Sequence, residues 1–165
     1  CVFNGNIAKG NSGARGGALY SYEAPIHVIN SLFYDNISQA NVGSSNSNPS
    51  FGGAIQIDAR NTGTNVLIKN CYVRNNLYYG VRINKNSTVT LDNCIISNNN
   101  RQGIYAQEEN TYLTISNCTI TGNNIGDSEY GSAIGFKATG STLTITNSEI
   151  ANNFGGEYSS ASAIS

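Results

Sequence analysis

The feature that most constrains this chain is a short phrase restated at unequal intervals. It reads NCYVRNN from Asn70, NCIISNN from Asn93, NCTITGN from Asn117 and NSEIANN from Asn147. Aligned on the residue after the leading Asn, six registers appear: Cys1, Ser31, Cys71, Cys94, Cys118 and Ser148, spaced by 30, 40, 23, 24 and 30 residues. The minimal unit is therefore about 23 residues, within the range of solenoid repeats. Two residues further on stands a large apolar side chain each time (Phe3, Phe33, Val73, Ile96, Ile120, Ile150), and three beyond that an Asn (Asn6, Asn36, Asn76, Asn99, Asn123, Asn153). Before each leading Asn runs an alternating stretch: IHVIN, VLIKN, VTLDN, LTISN and LTITN. A third alternating stretch carries Leu19, Ile55/Ile57, Val81/Ile83, Ile104/Ala106 and Ile134/Phe136.

Each unit thus holds three short period-2 strands, none able to bury its apolar side alone. Coiling the chain so that like strands stack about 4.8 Å apart gives a continuous core and pairs backbone groups from coil to coil. The expectation is an all-β parallel β-helix of about six coils, three short strands per coil, with residues 1–165 forming one segment. The recurring Asn answers two needs: a turn that demands unusual backbone angles, and amides that can hydrogen-bond up a stack. A β-sandwich would not produce columns of identical residues. Composition agrees, with abundant Asn, Ser, Thr, Gly and Tyr and only 12% charged residues. The chain opens on CVFNGN and closes on SSASAIS, both inside a repeat, so a longer parent repeat protein is expected.

FNGN (Phe3–Asn6) and FYDN (Phe33–Asn36) fit FxxN, while GGAL (Gly16–Leu19) and GGAI (Gly52–Ile55) fit GGA followed by an aliphatic residue. That pair of repeats resembles the polymorphic outer-membrane protein family of chlamydiae and its relatives, within the wider pectin-lyase-like group. The resemblance implies a right-handed β-helix and a secreted or surface-exposed passenger, often adhesive, with no single chemistry. Later coils depart from the narrower pattern: Val73 or Ile replaces Phe, and Gly80, Gly103 and Ser132-Ala133 stand where GGA would be.

A formal net charge of −1 and the lack of a basic patch argue against nucleic acid as a partner. No apolar run reaches membrane-spanning length. Cys71, Cys94 and Cys118 share one inward column with Ser31 and Ser148, which reads as packing by reduced thiols. Three N-glycosylation sequons begin at Asn36, Asn86 and Asn117; only Asn86 lies away from the recurring columns. His27, the only histidine, falls on an outward position with no partner nucleophile or acid in register. Register places Asp92 between Lys69 and Ser116, and Asp58 beside Asn84, so neither forms an acid pair.

Acids converge in sequence only in two loops. Asp127 and Glu157 each stand nine residues past the aligned Cys or Ser, with Glu129 close by. These three are the candidate calcium ligands, since calcium takes six to eight oxygens, and the candidate acids of a glycosidase. From the second Asn to the residue opening the next strand, successive coils count 12, 18, 4, 4, 10 and 10 residues. Long loops would then flank two tight coils as the walls of a saddle. Its floor would present Tyr78, Tyr79, Arg101 and Gln102, with Arg82 and Tyr105 projecting from the next strand, a set suited to a glycan or a host-surface protein. A second surface, Val2, Leu32, Tyr72 and Ile95, forms an outward apolar row suited to packing against a neighbouring chain. The leading expectation is a non-enzymatic structural or adhesive segment of a secreted or cell-surface protein. Its alternatives are a carbohydrate-active β-helix enzyme and a filament subunit that stacks on copies of itself.

Overall fold

The computed structural model describes residues 1–10, 14–40, 52–61, 63–123, 133–137, 139–155 and 163–164. These residues form eighteen strands, all in parallel pairs, sixteen of them coiled into three sheets and two in a separate pair. Sheet I stacks β1 (Val2–Asn4), β5 (Leu32–Tyr34), β9 (Tyr72–Arg74), β12 (Ile95–Ser97), β15 (Thr119–Thr121) and β18 (Glu149–Ala151). Sheet II stacks β3 (Leu19–Tyr22), β7 (Ile55–Asp58), β10 (Val81–Ile83), β13 (Ile104–Ala106) and β16 (Ile134–Phe136). Sheet III stacks β4 (Ile26–Ile29), β8 (Thr64–Lys69), β11 (Ser87–Asp92), β14 (Tyr112–Ser116) and β17 (Thr142–Thr146). An isolated bridge from Ile134 to Ile164 continues sheet II towards the sixth coil.

The registers are those the columns predict. Phe3 pairs with Phe33, Phe33 with Val73, Val73 with Ile96, Ile96 with Ile120 and Ile120 with Ile150. Strands alternate in and out, as in β8, where Val66 and Ile68 are buried while Asn65 is exposed. The interior is one apolar stack from Phe33 to Ile134, in which Ile57, Ile68, Leu91, Ile96 and Ile115 are fully buried. Each such side chain contributes about 1.5–3 kcal/mol. Phe3 and Phe33 lie face to face with centroids 4.5 Å apart.

The two recurring Asn positions do different work. The leading residues Asn30, Asn70, Asn93, Asn117 and Asn147 all have φ between 47° and 56°, the left-handed turn between sheets III and I. Asn tolerates that conformation better than any other residue except glycine. Their amides stack on the outside: Asn70 donates to Asn30 at 3.0 Å and Asn93 to Asn70 at 2.9 Å. At Asn117 the stack is diverted, its amide donating to the Asp92 carboxylate at 2.9 Å instead of to Asn93.

The second Asn is buried. Asn36, Asn76, Asn99 and Asn123 are at most 1% exposed, and each side-chain amide donates to the Oδ1 of the next coil's Asn at 2.9–3.0 Å. The same Oδ1 also accepts the donor Asn's backbone N–H, so each of these four turns between sheets I and II is satisfied by the next coil. Here the left-handed residue is the one before the Asn: Gly5, Asp35, Asn75, Asn98, Gly122 and Asn152. Asn36, which opens a sequon, is thereby sealed inside the core.

The small residue after the leading Asn has a reason beyond space. Ser31 and Ser148 donate to the carbonyl two residues back at 2.9 and 2.8 Å, and the thiols of Cys71, Cys94 and Cys118 occupy the same position at 3.2, 3.4 and 3.1 Å. All three thiols are free and buried. Its neighbour Cys118, then Cys71, then burial push the Cys94 pKa up, which keeps it a thiol.

Two features depart from expectation. Coils one and two leave the corner after the second Asn as a further parallel pair, β2 (Ile7–Gly10) on β6 (Ile37–Ala40), so those insertions begin as sheet and not as loop. The GGA motif proves to be a contact requirement. A Cβ at Gly53 would collide with the Tyr79 carbonyl oxygen, and one at Gly16, which has φ 49°, with the Leu19 carbonyl oxygen.

Candidate functional site on the outer face of sheet II

Side chains on the outside of a solenoid sheet normally meet water. On sheet II the middle ones are buried, while Tyr20 and Tyr22 in the first coil are exposed. The outward register runs Tyr20, Gln56, Arg82, Tyr105, Gly135, with a second column that pairs Tyr22 with Asp58. Asn84 follows Asp58 in that column, its N–H donating to the Ile57 carbonyl. Gln56, Asp58 and Arg82 are 1%, 1% and 3% exposed, and Asn84 and Gln102 are buried beside them. The middle of this face is therefore a buried polar array outside the apolar core.

At one end an ionic cluster centres on Asp58. Its Oδ2 accepts from the Tyr20 hydroxyl at 3.1 Å and lies 3.3 Å from Arg15 Nη1 and 3.4 Å from Arg60 Nε. Arg15 also donates to the Tyr20 hydroxyl at 2.7 Å and stands over its ring. Burial raises the Tyr20 pKa, and the Asp58 charge raises that of Arg60. A carboxylate shared by two guanidinium groups and a phenol orients all three of its partners.

At the other end lies the aromatic–arginine set expected from the sequence, and the structure brings all five residues together. Tyr79 and Tyr105 stack with centroids 4.8 Å apart and planes 11° from parallel. The Arg101 guanidinium stands 4.9 Å from the Tyr78 centroid and 5.9 Å from that of Tyr79. Arg82 sits one register position from Tyr105, and burial lowers its pKa. The set is less open than the tight turns suggested, and most of the residues in the long loops expected as saddle walls lie outside the described residues. Tyr79, Arg82 and Gln102 are buried, and Tyr78, Arg101 and Tyr105 are the half-exposed members.

Arg15, Tyr20, Gln56 and Arg60 escaped the sequence reading, which placed Asp58 beside Asn84 without these partners. Carrying the outward register of Arg82 back by one and two coils would have reached Gln56 and Tyr20. The ion pairing of Arg15 has no periodic signal at all. The acids Asp127, Glu129 and Glu157 lie outside the described residues. Val2, Leu32, Tyr72 and Ile95 do form one outward row on sheet I, with Val2 and Tyr72 66% and 52% exposed. His27 is exposed on sheet III beside Leu67. Among the described residues no helix is long and apolar enough to cross a membrane.

A coiled stack of parallel sheets with paired turns defines a β-solenoid, and comparison with known families supplies its hand. Residues 50–165, well over half of the chain, match the family described as "Right handed beta helix region". The chain belongs to the right-handed β-helix family. No curated protein and no solved structure matches it.

Proposed function

We propose that this chain is a non-enzymatic, structural or adhesive β-helix segment of a secreted or cell-surface protein, and that sheet II carries its recognition face. The observation behind this reading is the Tyr79–Tyr105 stack with Arg101 over Tyr78 and Tyr79, in which Tyr78, Arg101 and Tyr105 are half-exposed. Flat rings beside guanidinium groups suit the faces and hydroxyls of a glycan, and also a protein partner's rim. Every supporting side chain sits on a strand or a two-Asn turn, so the face is pre-organised and loses little entropy on binding. The GGA and FxxN repeats of the first two coils add support for a surface passenger, through their resemblance to polymorphic outer-membrane proteins.

The test is a glycan array with reducing-end assays on every hit, repeated with Tyr78→Ala and Arg101→Ala. Binding without cleavage, reduced at least about tenfold by either substitution, is the expected result; a tenfold change corresponds to about 1.4 kcal/mol. Cleavage of a bound glycan would replace the scaffold reading by the enzymatic one.

A further inference from the structure

A second concave surface lies at the corner between sheets I and II, on the far side of the buried Asn ladder from the core. It is an open groove of about 470 Å³ lined by Asp35, Ile37, Asn75, Leu77, Asn98 and Asn100, with the ladder residue Asn76 as its floor. That volume falls within the range of small-ligand sites. Two columns build it. One is the left-handed column, which offers Asp35, Asn75 and Asn98 on successive coils. The other follows the ladder Asn: the backbone N–H groups of Ile37, Leu77 and Asn100 donate to the carbonyls of Asn6, Asn36 and Asn76. Successive coils stand about 4.8 Å apart, so the polar rim repeats at that step along the axis.

We propose that this groove is a binding subsite for a neutral sugar residue. The turn does not require its polar rim. Gly5 and Gly122 make the same left-handed turn in the flanking coils, with φ 62° and 64° and no side chain. Asp35, Asn75 and Asn98 are exposed, and among the described residues no side-chain hydrogen bond engages them. Leu77, 41% exposed, offers an aliphatic surface between half-buried Ile37 and Asn100. Amide and carboxylate groups spaced around an aliphatic wall match vicinal hydroxyls around the C–H face of a pyranose. Charge selects against acidic sugars, because among the described residues the lining carries the Asp35 carboxylate and no cation. Arg74, next in the chain to Asn75, turns instead over the Tyr34 ring. This groove shares the corner between sheets I and II with Tyr78 and Arg101, which directly follow Leu77 and Asn100 in the chain, but neither of those two side chains lines it.

The test titrates the whole chain with neutral gluco-, manno-, xylo- and N-acetylglucosamine oligosaccharides at millimolar concentration, read by amide chemical shifts. The expected result is perturbation of the Asn75, Asn98 and Asn100 side-chain amides by at least one of them. The double variant Asn75→Gly/Asn98→Gly, which keeps the turn as Gly5 and Gly122 do, then weakens binding by at least about tenfold. Leu77→Ala weakens it too, while Arg101→Ala leaves it unchanged, which separates this site from the sheet II face. Absence of shifts with every neutral oligosaccharide, undiminished binding in the glycine variant, or equal binding of uronate oligomers at these residues would overturn the proposal.

Discussion

The outer faces of sheets II and III belong to the same coils and have the same strand geometry, yet they have opposite environments. On sheet III the middle outward column reads His27, Leu67, Thr90, Thr114, Thr144, exposed or half-buried throughout. On sheet II the corresponding column reads Tyr20, Gln56, Arg82, Tyr105, Gly135, and its middle is sealed from solvent. Threonine on a wet face needs only strand propensity. A buried arginine, aspartate and two amides cost desolvation that nothing about a strand requires. Such a cost on sheet II and not on sheet III marks where the molecule commits its specific polar chemistry, and supports the proposal of a recognition face there.

The comparison is tested most severely by putting one charge on both faces of one coil. Gln56→Lys places an ammonium in a position that is 1% exposed. It is expected to cost several kcal/mol, about 3 or more, in urea unfolding. Leu67→Lys, outward on the next strand of the same coil, should stay within about 0.5 kcal/mol. Equal costs would erase the distinction between the faces. A smaller effect is expected from Asp58→Ala, which strips the shared anion from Arg15, Arg60 and Tyr20. Both guanidinium groups are partly exposed and can rehydrate, so about 2–3 kcal/mol is expected, together with looser ordering of Arg15.

The smallest effect is a pH dependence on sheet III. Hydrogen bonding to Lys69, at 2.8 Å, and then to Asn117 holds the Asp92 pKa down at about 2. An unfolded Asp titrates near 3.9. Because the folded value is the lower one, the contribution is complete above about pH 4 and fades as pH falls through about 2. Asp92→Asn should flatten that window of the acid-unfolding profile without moving the neutral midpoint appreciably. A profile that is unchanged would show that the exposed pair is fully screened.

Much of this was readable along the chain, and the limits have physical causes. The inward columns were legible because stacking forces identical positions to meet at one radius; Phe33, Val73 and Ile96 were placed from spacing alone. The five-residue Tyr–Arg set was legible because two tight coils with four residues each leave no freedom in where Tyr78 and Arg101 can go. Asp58 was read correctly as lying beside Asn84, but its partners Arg15 and Arg60 come from turns whose side chains have no period. The diversion of Asn117 to Asp92 was equally silent, since an exposed amide chooses the nearest strong acceptor and a carboxylate outcompetes another amide.

By itself the sequence determined the coil, its register, the three sheets and the two Asn columns, because a repeated pattern of side-chain size and turn chemistry admits one stacking. Only the tertiary structure decided which Asn column is sealed in the core, which outer face is covered, and where a groove opens at the corner. Those depend on what meets across coils and around corners, and no spacing along the chain encodes that distance.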